Sequence, residues 1–235
     1  MTRSIAATDL AFADLDYNRQ TIAVMERVLS RTSNCIDIGA GTGELLREMV
    51  RLAPEGTHSA FDPLPQNVEK LRANFPNVGV HELALSDSNG DATFCYVPNA
   101  PGYSGLRRRD YEGREETVIP LTVRTATLDS ILPQPKQIDF IKLDVEGAEL
   151  QVLKGAHRLL EQERPFIAFE HGKGAADFYG TRPEHLYAYL VDDLGYSLTL
   201  LSRWLAGAPA LASVEAFGKE FDEERNWFFL AVPRV

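Results

Sequence analysis

Apolar positions along the chain switch repeatedly between the spacing of a helix face and that of a short buried strand. In "TIAVMERVL", residues 21–29, Ile22, Met25, Val28 and Leu29 share one helical face. "NCIDIG" then reads as a strand, and "ELLREMVRLA" returns to the helical spacing through Leu45, Leu46, Met49, Val50 and Leu52. The exchange repeats with the strand "THSAFD", the helix "QNVEKLRANF" closed by Pro76, and the strand "VGVHELAL". Beyond the turn signal Asn89-Gly90, the strands "ATFCYV" and "TVIPLTVRTATL" flank a Pro- and Gly-punctuated stretch, which predicts a β-rich insertion with a mobile loop over 98–113. Alternation resumes with the strand "IDFIKL", a helix over 148–160, the strand "FIAFE", a helical segment over 183–194, then "YSLTLLS" and the terminal strand "NWFFLAV". Such an order predicts an α/β fold, a mostly parallel central sheet with helices on both faces. Residues 1–33 read as an N-terminal helical segment and 34–235 as one domain.

Composition narrows the functional classes. Hydrophobic residues at 44% and charged residues at 25% exclude disordered and fibrous chains. A net charge of −10 argues against a nucleic-acid partner, and the basic triplet Arg107, Arg108, Arg109 is too short to reverse that. Cys35 and Cys95 lack the paired spacing of a zinc site and read as small core residues of a reducing compartment. The absence of a continuous apolar leader or spanning run leads to the expectation of a cytoplasmic protein without membrane insertion.

The candidate binding turn is Asp37-Ile38-Gly39-Ala40-Gly41-Thr42-Gly43, between the first strand and its helix. Glycines there let the backbone approach a ligand, and the helix start offers unpaired N–H groups. A dinucleotide site has the spacing G-x-G-x-x-G with a pyrophosphate on the helix terminus, whereas this turn has G-x-G-x-G preceded by an acid. Asp37 repels a pyrophosphate and pairs with an ammonium group. Asp62, about 20 residues beyond the glycines and at the end of the second strand, is placed to accept hydrogen bonds from ribose hydroxyls. A ribose with a cationic amino acid tail describes S-adenosylmethionine better than a nicotinamide dinucleotide, although a nicotinamide-dependent dehydrogenase stays as the enzymatic rival.

With "IDFIKLDVEGAELQVLKGA", residues 138–156, and with "ALSDSNGDATF", "TATLDS", "RPFIAFE", "LGYSLTLL" and "NWFFLAVP", the chain resembles the FkbM family of S-adenosylmethionine-dependent methyltransferases from about Asn34 onward. The resemblance implies a class I, Rossmann-like fold of seven strands with the last antiparallel. It also implies methyl transfer to an oxygen of a sugar, polyketide or similar small hydroxylated metabolite. Carried over by position, Gly39, Ala40, Gly41 and Gly43 cradle the methionine part with Asp37 near its ammonium, Asp62 holds the ribose, and Ala84 and Leu85 lie beside the adenine. A non-catalytic protein that binds the adenosyl ligand is the alternative of a different class.

"FIKLDVEGAE" places charges where a buried strand ends. Strand alternation puts Phe140, Lys142 and Asp144 on one side. Asp144 is expected at the pocket floor, and Glu170 and His171 end the next strand. Asp144, His171 and Glu170 are therefore the catalytic candidates, with His171 as a base of ordinary pKa near 6.5 and a carboxylate to orient it. Lys142 reads as a structural partner of a nearby acid and Glu149 as a helix or core hydrogen-bonding group. His58, His81, His157 and His185 read as structural. Asp144, Glu146 and Glu170 also offer oxygens of the kind Mg²⁺ prefers, but the Asp-Asn pair sought at the next strand is replaced by Glu170-His171, so no metal is assigned. The arginines and Tyr103 and Ser104 of the 98–113 loop suggest a lid for an acidic acceptor less strongly than they suggest a surface loop.

Overall fold

A computed structural model describes residues 17–109, 111, 115–133 and 137–234. In chain order the elements are α1 (Tyr17–Val28), β1 (Cys35–Ile38), α2 (Glu44–Leu52), β2 (His58–Asp62), α3 (Pro65–Asn74), β3 (Gly79–Glu82), β4 (Ala84–Leu85), β5 (Gly90–Tyr96) and β6 (Ile119–Ala126). They continue with α4 (Leu128–Ile131), β7 (Phe140–Leu143), α5 (Glu149–Gly155), α6 (His157–Glu163), β8 (Phe166–Glu170), α7 (Pro183–Tyr187), β9 (Tyr196–Thr199), α8 (Leu201–Leu205), α9 (Val214–Asp222) and β10 (Phe228–Pro233). The main sheet has seven strands in the order β3-β2-β1-β7-β8-β10-β9. Neighbours are parallel except β10, which runs antiparallel to both β8 and β9. This is the doubly wound, seven-stranded sheet with one antiparallel strand that the resemblance implies.

The central strands are buried along their whole length because both faces are covered, so they read as apolar runs rather than alternating ones. Ile36, Ile38, Ile141 and Leu143 enter a core with α5, α6 and α7, whereas Cys35 and Phe140 face a second core with α1, α2 and α8. The register Cys35↔Phe140 and Asp37↔Lys142 sets Asp37 and Lys142 side by side on the second face. Chain order reverses between β1 and β7, and in such sheets the crevice at the carboxyl ends of those strands takes ligands. The amino-terminal helix α1 belongs to this fold: Val24 and Met25 are fully buried in the second core, and Arg27 donates to the Leu205 carbonyl at 2.6 Å.

Several elements differ from the sequence pattern. The run over 78–85 breaks at buried Leu83, so that β3 joins the main sheet and β4 joins a separate sheet in the order β4-β6-β5. The helix over 148–160 is two helices, α5 and α6, parted at Ala156. "YSLTLLS" leaves the sheet after Thr199, and α8 begins at Leu201. The acidic run "EFDEER" hides the end of α9, whose Phe217 and Phe221 are buried. Two large apolar residues four apart were too sparse a stripe to outweigh the charges around them. The 98–113 loop turns back through a Cys95–Gly105 bridge and a 3₁₀ turn at Pro101–Tyr103; residues 110 and 112–114 lie outside the described residues, as do the first 16. Among the described residues no helix is long and apolar enough to cross a membrane.

Phe229 joins β10 to the α9 side of the core, fully buried with its ring edge-on to Phe217 at 4.7 Å between centroids. Phe229→Ala is expected to lower unfolding free energy by about 3–5 kcal/mol, measured by urea denaturation. A loss under about 1 kcal/mol would show that the antiparallel strand is not anchored by this contact.

Candidate active site

The site begins where β1 turns into α2. Gly39 has φ +73°, and a Cβ on it would stand 1.8 Å from the Asp144 carbonyl oxygen, so the turn presses directly on the end of β7. The Gly39 and Ala40 amides donate to the Phe61 carbonyl at 2.9 and 3.1 Å, which fastens the turn to β2 as well. Gly41, at φ +55°, has no atom within 4 Å of the place of a Cβ and faces a cavity of about 310 Å³. Gly43, at φ +84°, ends the turn as the residue before α2 and packs on Leu71 and Phe75. Ala40 is buried in the second core.

Asp62 closes one side of the cavity. Its Oδ2 accepts from the Gly41 amide at 2.9 Å, and its Oδ1 accepts from the Leu64 amide at 2.9 Å and Asn67 Nδ2 at 3.1 Å. Burial raises its pKa, and the three N–H donors oppose that rise. Ala84 and Leu85 continue the wall, and the smaller sheet with its following loop adds Phe94, Ser104 and Leu106. At the β7 end, the cavity is bounded by Asp144, Val145 and Glu146.

Charges beneath and beside this cavity interlock. Lys142, 7% exposed, donates from Nζ to the Gly39 carbonyl at 3.0 Å and stands 3.5 Å from Asp144 Oδ2 and 3.7 Å from Asp37 Oδ1. Burial works against its charge, but Asp144 and Asp37 outweigh it and lift its pKa above the ordinary lysine value. Asp37 is 1% exposed and its Oδ1 accepts no hydrogen bond; burial raises its pKa while Lys142 pulls it down. Glu149, buried at the start of α5, accepts from the Val145 and Gly147 amides at 3.0 and 3.2 Å. These bonds hold a loop in which Glu146 and Gly147 both have positive φ. Burial pushes the Glu149 carboxyl up to about 7 despite them.

Glu170, partly buried, has its pKa raised well above the glutamate range by burial and then by Asp144 and Glu149. Each of Asp144, Glu146 and Glu170 offers a carboxylate oxygen within 4.8 Å of the others, a set of hard donors. Arg109 forms an ion pair with Glu146 and covers the face of Tyr103 at 4.7 Å, while Arg107 donates to the Phe178 carbonyl at 3.1 Å and lies over Tyr179. These two loop arginines are engaged by the protein's own groups rather than turned to an acidic acceptor.

Of the expected residues, Gly39, Gly41, Asp62, Ala84, Leu85 and Asp144 line the cavity, and Asp37 lies under the turn. Glu170 stands beside Asp144 without lining it. His171 must be corrected. It is fully buried between the rings of Phe217 and Phe221, stacked at 5.6 and 4.8 Å, with neither ring nitrogen hydrogen-bonded. Burial lowers its pKa to about 3, the opposite of what a base working near neutrality requires. Its backbone amide, bonded to the Trp227 carbonyl at 2.7 Å, explains the turn away: past Glu170 the chain follows β10 instead of the cavity edge. The other four histidines are structural, His58 bonded to the Ala53 carbonyl and His81 stacked on Phe61. His157 contacts the Tyr189 hydroxyl, and His185 accepts from the Arg182 amide. Asn67, Phe94 and Leu106 line the cavity without having been expected; Asn67 had a signal, being about one helical turn beyond the Asp62-Pro63 strand end, and Phe94 had none.

Asp37 Oδ1, buried without a hydrogen bond beside Lys142, and the open space at Gly41 fit a ligand with a cationic head and a thin chain. A Rossmann-like methyltransferase is the class that this sheet and cavity define. The Methyltransferase FkbM domain matches residues 37–198, and the chain belongs to that family. It is 32% identical over 152 residues to Methyltransferase sdnD of Sordaria araneosa, covering 51% of this chain and 59% of that protein. To the 2-O-methyltransferase NoeI of Sinorhizobium fredii it is 28% identical over 175 residues, covering 68% and 70%. The solved methyltransferase FkbM of Methylobacillus flagellatus shares the fold at TM-score 0.53 and 16% identity, over 86% of this chain and 44% of that one. The chain thus spans about three-fifths of the first of these relatives and under half of the solved one.

Two stability predictions follow from the buried acids and bases. His171 has a folded-state pKa near 3 against 6.5 in the open chain, so the unfolded state binds more protons between those values and stability is lost as pH falls through them. His171→Phe, which keeps the ring stack, is expected to lose less stability between pH 7 and 4.5 than the parent in urea denaturation; an equal loss would contradict the placement. Glu149 is the reverse case, its pKa raised from 4.5 to about 7, so the folded state holds the extra proton and stability declines as pH rises across that window. Glu149→Gln retains an acceptor for Val145 and Gly147, and its unfolding free energy should vary less with pH there. An unchanged slope would assign the titration elsewhere.

Proposed function

We propose that this chain is an S-adenosylmethionine-dependent O-methyltransferase acting on a hydroxyl group of a small metabolite. The observation that carries the reading is one cavity running from the Gly41 backbone past Asp62 and Leu85 to the acids at the β7 end. Asp37, beneath the turn that walls it, is the partner for an ammonium; within the cavity Gly41 gives space for the amino acid chain, Asp62 accepts from ribose hydroxyls, and Ala84, Leu85 and Leu64 offer apolar surface to the adenine. A nicotinamide dinucleotide fits less well, because Asp37 stands under the turn where a pyrophosphate needs positive potential and the third glycine caps α2.

Bound S-adenosylmethionine supplies a methyl group on a sulfonium, open to in-line displacement by an oxygen. The protein's share is positioning and proton removal. Asp144, on the cavity wall with its side chain 28% exposed, is the proton acceptor for the acceptor hydroxyl. Lys142 Nζ stands 3.5 Å from its Oδ2. Glu170, held toward its protonated form, donates a hydrogen bond to the same carboxylate or to a second acceptor hydroxyl. The name of the 2-O-methyltransferase relative supports transfer to oxygen, and the net charge of −10 supports a small molecule over a nucleic acid. Acids on the cavity wall weigh against a purely ligand-binding role.

Calorimetry should find binding of S-adenosylhomocysteine and none of NAD. Gly41→Val, whose side chain enters open space, should weaken S-adenosylhomocysteine by at least about tenfold while costing about 1–2 kcal/mol of stability for its positive φ. Label transfer from methyl-labelled cofactor to a panel of hydroxylated acceptors tests the reaction, and Asp144→Asn should slow it by about 10²-fold or more. NAD binding in place of S-adenosylhomocysteine would overturn the cofactor, and full turnover by Asp144→Asn would overturn the proton acceptor.

A further inference from the structure

We propose that Lys142 is a positioning residue of the cofactor site, acting through Asp37: it keeps that acid ionised beneath the glycine turn so that the cofactor's ammonium meets a charged partner. The inference rests on the cofactor reading above. Its geometry is built into the sheet. Parallel pairing of β1 with β7 makes Asp37 and Lys142 lateral neighbours on one face, and both are almost wholly enclosed. From there one ammonium group reaches the turn at the Gly39 carbonyl, the buried acid Asp37 and the wall acid Asp144.

The groups that face Asp37 define the electrostatic problem. Asp62 approaches from the end of β2, Lys142 and Asp144 from β7 and its end, and the Leu46 amide from α2; Glu170, ending β8, acts on Lys142. Lys142 alone among these is cationic, against three acids around the turn. A buried carboxylate without a counter-charge takes up a proton instead of bearing the desolvation cost. A protonated Asp37 offers an ammonium a neutral dipole in place of a charge. Removing Lys142 should therefore make cofactor affinity depend on pH, with binding weak at the acidic end and recovering as Asp37 loses its proton. A lysine that merely filled space would leave a uniform loss.

The test is calorimetry of S-adenosylhomocysteine with the full chain, comparing the parent, K142M and K142R. The parent and K142R should vary by less than about threefold between about pH 6 and about pH 8.5, whereas K142M should bind at least about tenfold more weakly at the lower pH than at the higher. K142M/D144N, which leaves one acid fewer without a counter-charge, carries the test where K142M does not fold. Its recovery should come at a lower pH, because Asp144 no longer opposes ionisation of Asp37. Affinity of the folded variant that is unchanged, or lowered equally at every pH, overturns the assignment of Lys142 alone. Failure of the parent to bind S-adenosylhomocysteine overturns the cofactor reading, and this inference with it.

Discussion

The turn after the first strand lies against the end of β7 so closely that a single added carbon on Gly39 would overlap the Asp144 backbone. That contact exists because β1 and β7 are parallel neighbours of equal register whose carboxyl ends stop at the same level. From it follow the depth of the cavity, the reach of Lys142 to the Gly39 carbonyl, and the adjacency of Asp37 and Asp144. A side chain at residue 39 would push the turn outward, away from the end of β7 and its acids. Fold and site thus share one steric constraint.

The acids at the strand end are not redundant. Glu149 faces inward to two backbone amides and keeps the 144–147 loop in its positive-φ shape, Glu146 takes Arg109, and Asp144 shares Lys142 with Asp37. Desolvation raises the pKa of Glu149, Glu170 and Asp37 alike, Asp144 adds to the rise, and Lys142 pulls Asp37 back down.

Much of the glycine-turn side of the cavity was legible because its residues are contiguous in motifs whose geometry is local. Positive φ at Gly39 and Gly41, a short turn and the acid ending β2 all follow from strand–turn–helix order. The strand-end side was less legible. His171 follows Glu170 by one position, and alternation alone could not reveal that α9 folds over it and supplies two phenyl rings. Phe94 reaches the cavity from a second sheet and Leu106 from the loop that follows β5, and that sheet includes β4 only because the run over 78–85 breaks at Leu83.

By itself, the sequence determined the alternation of strands and helices, the glycine turn with its acids, and the cluster of charges after β7, because hydrophobic period, backbone freedom and charge are properties of neighbouring residues. Tertiary structure alone decided which of those charges meet. The pairing of Lys142 with Asp37 spans 105 positions and arises from strand register, and the exclusion of His171 arises from a helix nearly 50 residues further on. Side-chain burial sets the energy of an ionised group, and burial is a property of the packed whole.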